Sequence, residues 1–204
     1  MISLVAIGAV FVTFALSWVL EIDRPLYFDV LNAGRTQNRW GPDWFNEFGR
    51  VPFLILIPCI AFLVTFLRCR VVAVAYPLMI AVGGSIFLTV NWTVHRLRPP
   101  FSAHAGEHTS YPGGHSIQVA LVLLAVPLIV WVLTSNTVLR VIGTVIPVGI
   151  WATTEIDTIR TGGHWPIDQT AGLLIAATLL TILYSVGLNA IQHESCHGAP
   201  VTND

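Results

Sequence analysis

Apolar runs long enough to be helices across a bilayer recur six times along the chain, separated by short polar segments. They extend from Ile2 to Leu20, Val51 to Leu67, Val71 to Val94, Ser116 to Thr134, Val138 to about Thr154, and Ile167 to about Ala190. A bilayer core roughly 30 Å thick needs about 20 mostly apolar residues per spanning helix, which each run meets or approaches. The fifth is the least regular, with Arg140 near one end and Pro147 in its middle. Only "RCR", Arg68 to Arg70, joins the second and third runs, which calls for a tight antiparallel hairpin. The pattern predicts an all-α fold: one domain over residues 1–204, an integral membrane bundle of six transmembrane helices.

Six alternating spans place three polar connections on the same side of the membrane: Glu21 to Arg50, His95 to His115, and Asp157 to Pro166. The first, an interfacial segment over 21–50, gathers Trp40, Trp44, Phe45 and Phe48, side chains suited to the headgroup layer. The other two supply candidate site loops, 95–115 and 157–166, and residues 191–204 form a short polar tail. Polar chemistry therefore collects on one face.

Composition supports the membrane reading. Apolar residues make up 54% of the chain and mean hydropathy is +0.73, both above soluble averages. The first run lacks a preceding basic residue and continues into "EIDR" without a small-residue cleavage site, so it reads as a retained helix. Net charge is -1 and all ten basic residues are arginine, with no basic patch to point to nucleic acid. Seven arginines fall in the polar connections and three on the opposite side. Setting aside the candidate site residues Arg96, Arg98 and Arg160 leaves four against three, so charge alone does not orient the bundle. Cys59, Cys69 and Cys196 are too few and too scattered to read as a disulfide framework.

Two glycine–histidine clusters stand at the mouths of apolar runs: "YPGGHS" at Tyr111 to Ser116 and "GGHWPID" at Gly162 to Asp168. Gly113, Gly114 and His115 precede the fourth span, whose free N–H groups and positive dipole end favour an anion. His164 precedes the sixth span, with Pro166 suited to its first turn. Arg98 would add a planar fork for phosphate. Asp168, four residues after His164, would sit under the imidazole in a near-helical turn and fix its tautomer, leaving the other ring nitrogen to attack. An adjacent phosphate would favour protonated His115, the acid for the leaving oxygen. The plainer alternatives are a cap for Asp168, a loop exit for the glycines, snorkelling arginines for Arg96 and Arg98, and interhelical hydrogen bonding for Asn91. Glu155 and Asp157 should face the bundle, the loop or Arg160. A zinc site would draw on His104, His108, His115 and His164, but "SAHAGEHTS" is not a firm helix and no matching carboxylate or cysteine set accompanies it.

These residues resemble the type 2 phosphatidic acid phosphatase superfamily, membrane lipid phosphatases related to vanadium haloperoxidases, whose signature is written KxxxxxxRP, PSGH and SRxxxxxHxxxD. "RPP" at Arg98 to Pro100 matches the end of the first block. "PGGH" at Pro112 to His115 matches the second, and "HWPID" at His164 to Asp168 the end of the third. "NRWGPDWFNEFGR" also looks like the family's connection before the second span. The resemblance implies that His164 forms a phosphohistidine, Asp168 orients it, and His115 acts as general acid and then activates water. Arg98, Gly113 and Gly114 would bind the phosphoryl group, with no metal or other cofactor.

The chain departs from the signature at three points. The first-block lysine falls on Asn91, the serine of PSGH on Gly113, and the SR pair on Asp157 and Thr158. Arg160, two residues from the expected place, and Arg96, pointing elsewhere on the helix of the third span, are the candidate replacements for the missing cations. The expected activity is hydrolysis of a phosphomonoester or pyrophosphate of a lipid or polyprenol. The expected setting is the cell (inner) membrane, with the site on the extracytoplasmic side. Two alternatives stand beside it: a lipid phosphotransferase that moves a phospho-headgroup to an acceptor alcohol, and a non-catalytic degenerate member.

Overall fold

In a computed structural model, the structure describes residues 51–100, 110–160, 163–192 and 196, without the side chains of Val51 and Arg160. These residues form α1 (Val51–Phe66), α2 (Arg70–Val94), α3 (Gly114–Leu124), α4 (Val126–Leu133), α5 (Thr137–Arg160) and α6 (Pro166–Gln192), with no strand among them. The first expected span and the interfacial segment 21–50 lie outside the described residues.

Among the described residues, four stretches are long and apolar enough to cross a membrane: α2, α3 with α4, α5, and α6. The molecule is an integral membrane protein. The second expected span coincides with α1, a shorter apolar helix of 16 residues, about 24 Å long at roughly 1.5 Å per residue. Leu63, Leu67, Trp92, Val138 and Val145 are exposed, as side chains facing lipid must be.

α3 is the central element, with Ser116, Ile117 and Val119 to Leu123 all buried against neighbours. The expected fourth span is broken at Ala125, because Pro127 lacks the N–H that would continue the ladder. Tyrosine hydroxyls from two neighbours serve the broken end: Tyr76 of α2 donates to the Val122 carbonyl at 3.1 Å, and Tyr184 of α6 to that of Leu124 at 2.9 Å. Both bonds satisfy carbonyls that no water can reach in a bilayer.

α3 and α6 meet at their N-terminal ends with almost no space between them. A Cβ on Gly172 would stand 2.5 Å from the Gly113 carbonyl oxygen and 2.9 Å from the Ser116 Cβ. The Gly113 N–H donates to the Asp168 carbonyl at 2.8 Å, so two helix starts are joined by main chain.

α5 exceeds its sequence expectation by a turn and a half, running to Arg160 rather than about Thr154. Its polar end is absorbed by the bundle: the Ser116 hydroxyl donates to Glu155 at 2.8 Å, and Asp157 is buried. At the opposite end of the bundle from His115, Cys69 in the α1–α2 turn is disulfide-bonded to Cys196 beyond α6. Cys59 stays free, so the three cysteines make one cross-link rather than a framework, and the sequence reading had not drawn that pair. The pair's 127-residue separation hides a proximity that only the returning α6 creates.

Gly172→Ala should force α3 from α6 and destabilise the protein by about 1–3 kcal/mol, the usual range for overpacking. Gly84→Ala is the control, since a Cβ there meets nothing within 4 Å and should leave the melting temperature in micelles unchanged or higher.

Candidate active site

α2 stops because His95 takes a left-handed conformation, φ 48°, and its N–H reaches back to the Asn91 carbonyl. Pro99 and Pro100 keep the following segment extended. Successive side chains there alternate, so Leu97 is exposed while Arg96 and Arg98 turn inward together. This corrects the expectation that Arg96 points elsewhere on a continuing helix.

Arg96 donates to the Asp168 carboxylate at 2.6 Å and lies over the Trp165 ring, 5.6 Å from its centroid. Asp168 has no exposed surface. Its carboxylate also accepts the Ser110 hydroxyl, and the Trp165 N–H at 3.3 Å. The last contact is half of a capping box at the start of α6, so the cap reading of Asp168 holds beside its ion pair. The expected direct bond to His164 is not what forms. His164 Nδ1 lies 2.9 Å from the Ser110 carbonyl, and Asp168 meets that residue through its hydroxyl. The correction has a simple cause: the His95 turn delivers Arg96 to the carboxylate, and Ser110 occupies the space between carboxylate and ring.

His115 at the start of α3, His164 before α6, Arg98 and Gly114 border one cavity of about 120 Å³, closed by Phe87 and Gln118. The space suits a phosphoryl-sized group rather than a lipid tail. Arg98 also donates to the Gly163 carbonyl at 3.0 Å, which fixes the approach to His164. Gly114 is required where it stands, since a Cβ would come 2.6 Å from the Phe87 ring.

Three expected ligands of the substrate are placed otherwise. The Gly113 N–H is spent on Asp168, the Asn91 amide donates to the Tyr111 carbonyl at 3.1 Å, and Arg96 holds Asp168. None of the three borders the cavity, and each instead positions a segment that does. Arg160 ends α5, and the expectation for its side chain lies outside the described residues, as do His104 and His108 of the zinc reading. Sequence reasoning missed Ser110 and Gln118. Gln118 had a legible signal: a lone amide in an apolar run, three residues after His115 on the same helical face.

His164 is 5% exposed, and its pKa is pushed down from 6.5 to about 3. Burial is the main cause, the Arg98 guanidinium and His115 add to it, and the bond to Ser110 opposes it. A carbonyl can only accept, so Nδ1 carries the proton and Nε2 keeps its lone pair. The ring is therefore a neutral imidazole at any physiological pH, with one nitrogen available to attack.

The same shift links to stability. An unfolded chain takes up a proton at this residue below about pH 6.5, while the native state resists until about pH 3, so stability falls as pH falls through that window. At pH 5 the loss is about 2 kcal/mol relative to pH 7.5. Thermal unfolding in micelles should show it in wild type, and His164→Gln should remove that component.

A family model described as the PAP2 superfamily matches residues 70–192. No curated protein matches the chain significantly. Among solved structures, the chain is similar to one described as the crystal structure of the first transmembrane PAP2 type phosphatidylglycerolphosphate phosphatase from Bacillus subtilis. The TM-score is 0.68 at 17% identity, over 92% of this chain and 96% of that one, which is a likeness of fold.

Proposed function

The chain belongs to the PAP2 superfamily, and on that premise we propose that it is a lipid phosphatase. Its substrate would be a phosphomonoester or pyrophosphate of a lipid or polyprenol, cleaved through a phosphohistidine. The observation that carries this reading is one small cavity bordered by a neutral imidazole with a bare Nε2, a second imidazole and a guanidinium. The fold neighbour's substrate, phosphatidylglycerolphosphate, is a lipid phosphate of the same chemical class.

In the first step His164 Nε2 attacks phosphorus, the bond from phosphorus to the lipid oxygen breaks, and protonated His115 gives that oxygen its proton. Arg98 and the N-terminal end of α3 hold the charge on the phosphoryl oxygens. In the second step neutral His115 takes a proton from water, the water oxygen attacks phosphorus, and the nitrogen–phosphorus bond breaks. Inorganic phosphate leaves, and His164 is again neutral.

The polar face of the bundle, with its helix starts, is where a headgroup enters from the lipid–water boundary while its tails stay among the exposed apolar side chains. We place that face on the extracytoplasmic side of the cell (inner) membrane.

A panel of lipid phosphates and polyprenyl pyrophosphates, scored for inorganic phosphate with and without acceptor alcohols, tests the activity. Wild type should release phosphate without an acceptor, and His164→Ala should lose at least about 10³-fold in kcat, the scale for removing a nucleophile. Release that persists in His164→Ala would exclude the phosphohistidine, and product that forms only with an alcohol would make the protein a transferase. For orientation, a Leu97→Cys variant, exposed on that face, should be labelled in intact cells by a membrane-impermeant maleimide. Labelling only after the cells are opened would reverse the assignment of faces.

A further inference from the structure

Ser110 is wholly buried and makes three hydrogen bonds, each to a different part of the site. Its N–H donates to the Arg96 carbonyl at 3.0 Å, its hydroxyl donates to Asp168, and its carbonyl accepts from His164 at 2.9 Å. The next carbonyl, that of Tyr111, is held from α2 by the Asn91 amide. The serine backbone is thus fixed on both sides, and the ring of His164 is fixed to it.

We infer that Ser110 is the positioning residue of His164, and that the Arg96–Asp168 ion pair acts on the imidazole only through it. A carboxylate bonded to Nδ1 would pull on that proton and raise the basicity of Nε2. Here the carboxylate charge is matched by Arg96 and stands one residue away from the ring. What the ion pair supplies is placement: it anchors the Ser110 hydroxyl, and with it the carbonyl that selects the Nδ1–H tautomer. When Nε2 bonds to phosphorus and the ring becomes cationic, the Nδ1 proton stays in place against that same carbonyl. The inference rests on the phosphatase reading of this site.

The test uses the full-length protein in detergent micelles. Asp168→Asn keeps an oxygen able to accept the serine hydroxyl, so kcat should fall less than about 10-fold. A direct carboxylate–imidazole pair predicts a fall on the order of 10⁴, as when the amide selects the wrong tautomer in a Ser-His-Asp triad. Ser110→Ala and Asp168→Ala should each lower kcat about 10–100-fold at nearly constant KM, with the double variant no worse than the worse single one. Ser110→Thr should restore most of the activity. Losses that multiply in the double variant, or a 10⁴-fold loss in Asp168→Asn, would overturn the inference.

Imidazole nitrogen NMR of the histidine-labelled protein gives a readout that needs no turnover. His164 should carry its proton on Nδ1 in wild type and in Asp168→Asn, and Ser110→Ala and Asp168→Ala should perturb that signal alike. A signal that changes with either Asp168 variant but not with Ser110→Ala would show a direct carboxylate contact and sink the assignment. If wild type turns over no lipid in the panel, the phosphatase reading fails while the NMR comparison still decides the positioning role.

Discussion

A carboxylate with no exposed surface stands in the first turn of α6, and the arrangement around the cavity follows from the need to neutralise and solvate it. Burying one charge without a partner costs several kcal/mol, and removing one member of a buried pair typically costs about 3–5 kcal/mol. Asp168 therefore draws other segments toward it. The His95 turn ends α2 in time for the Arg96 guanidinium to reach the carboxylate, and the loop before α3 supplies the Ser110 hydroxyl. The α6 backbone contributes the Trp165 N–H, and the Asp168 carbonyl in turn holds Gly113. Segments far apart in sequence become neighbours, and the cavity bordered by His115 and His164 is what their meeting leaves open.

Arg98 shows a balance within that cavity. Its charge lowers the affinity of His164 for a proton, which keeps the ring neutral, and the same charge attracts the phosphoryl group the ring would attack. A weakly basic imidazole is a poorer nucleophile than a strongly basic one, yet it is never lost to protonation in neutral or mildly acidic surroundings. Burial and one cation together trade intrinsic reactivity for constant availability.

Four of the expected spans were legible because lipid imposes a length and a polarity on every helix that crosses it. Their ends were less so. Hydropathy stops α5 near Thr154, but the helix continues because Ser116 and the bundle interior accept Glu155 and Asp157. At the site, His115, His164 and Arg98 could be read from helix starts and motif spacing, since their chemistry resides in the side chain. Ser110 could not, because it meets His164 through a carbonyl that every residue possesses. Arg96 was visible as a cation, but its partner depends on one left-handed residue that no residue pattern announced. The Cys69–Cys196 pairing depends on where α6 ends in space, which residue spacing does not encode.

The interruption at Ala125 divides the central helix into an upper piece of 11 residues and a lower piece of 8. At roughly 1.5 Å per residue the upper piece descends about 16 Å, near the midplane of a bilayer core roughly 30 Å thick. Tyr76 and Tyr184 tie its lower end to α2 and α6. Membranes differ in thickness, and a rigid helix meets the difference by tilting along its whole length. Here the depth of the imidazole carried by α3 is set by a short helix tied at its lower end to two neighbours, not by one rod spanning the whole bilayer.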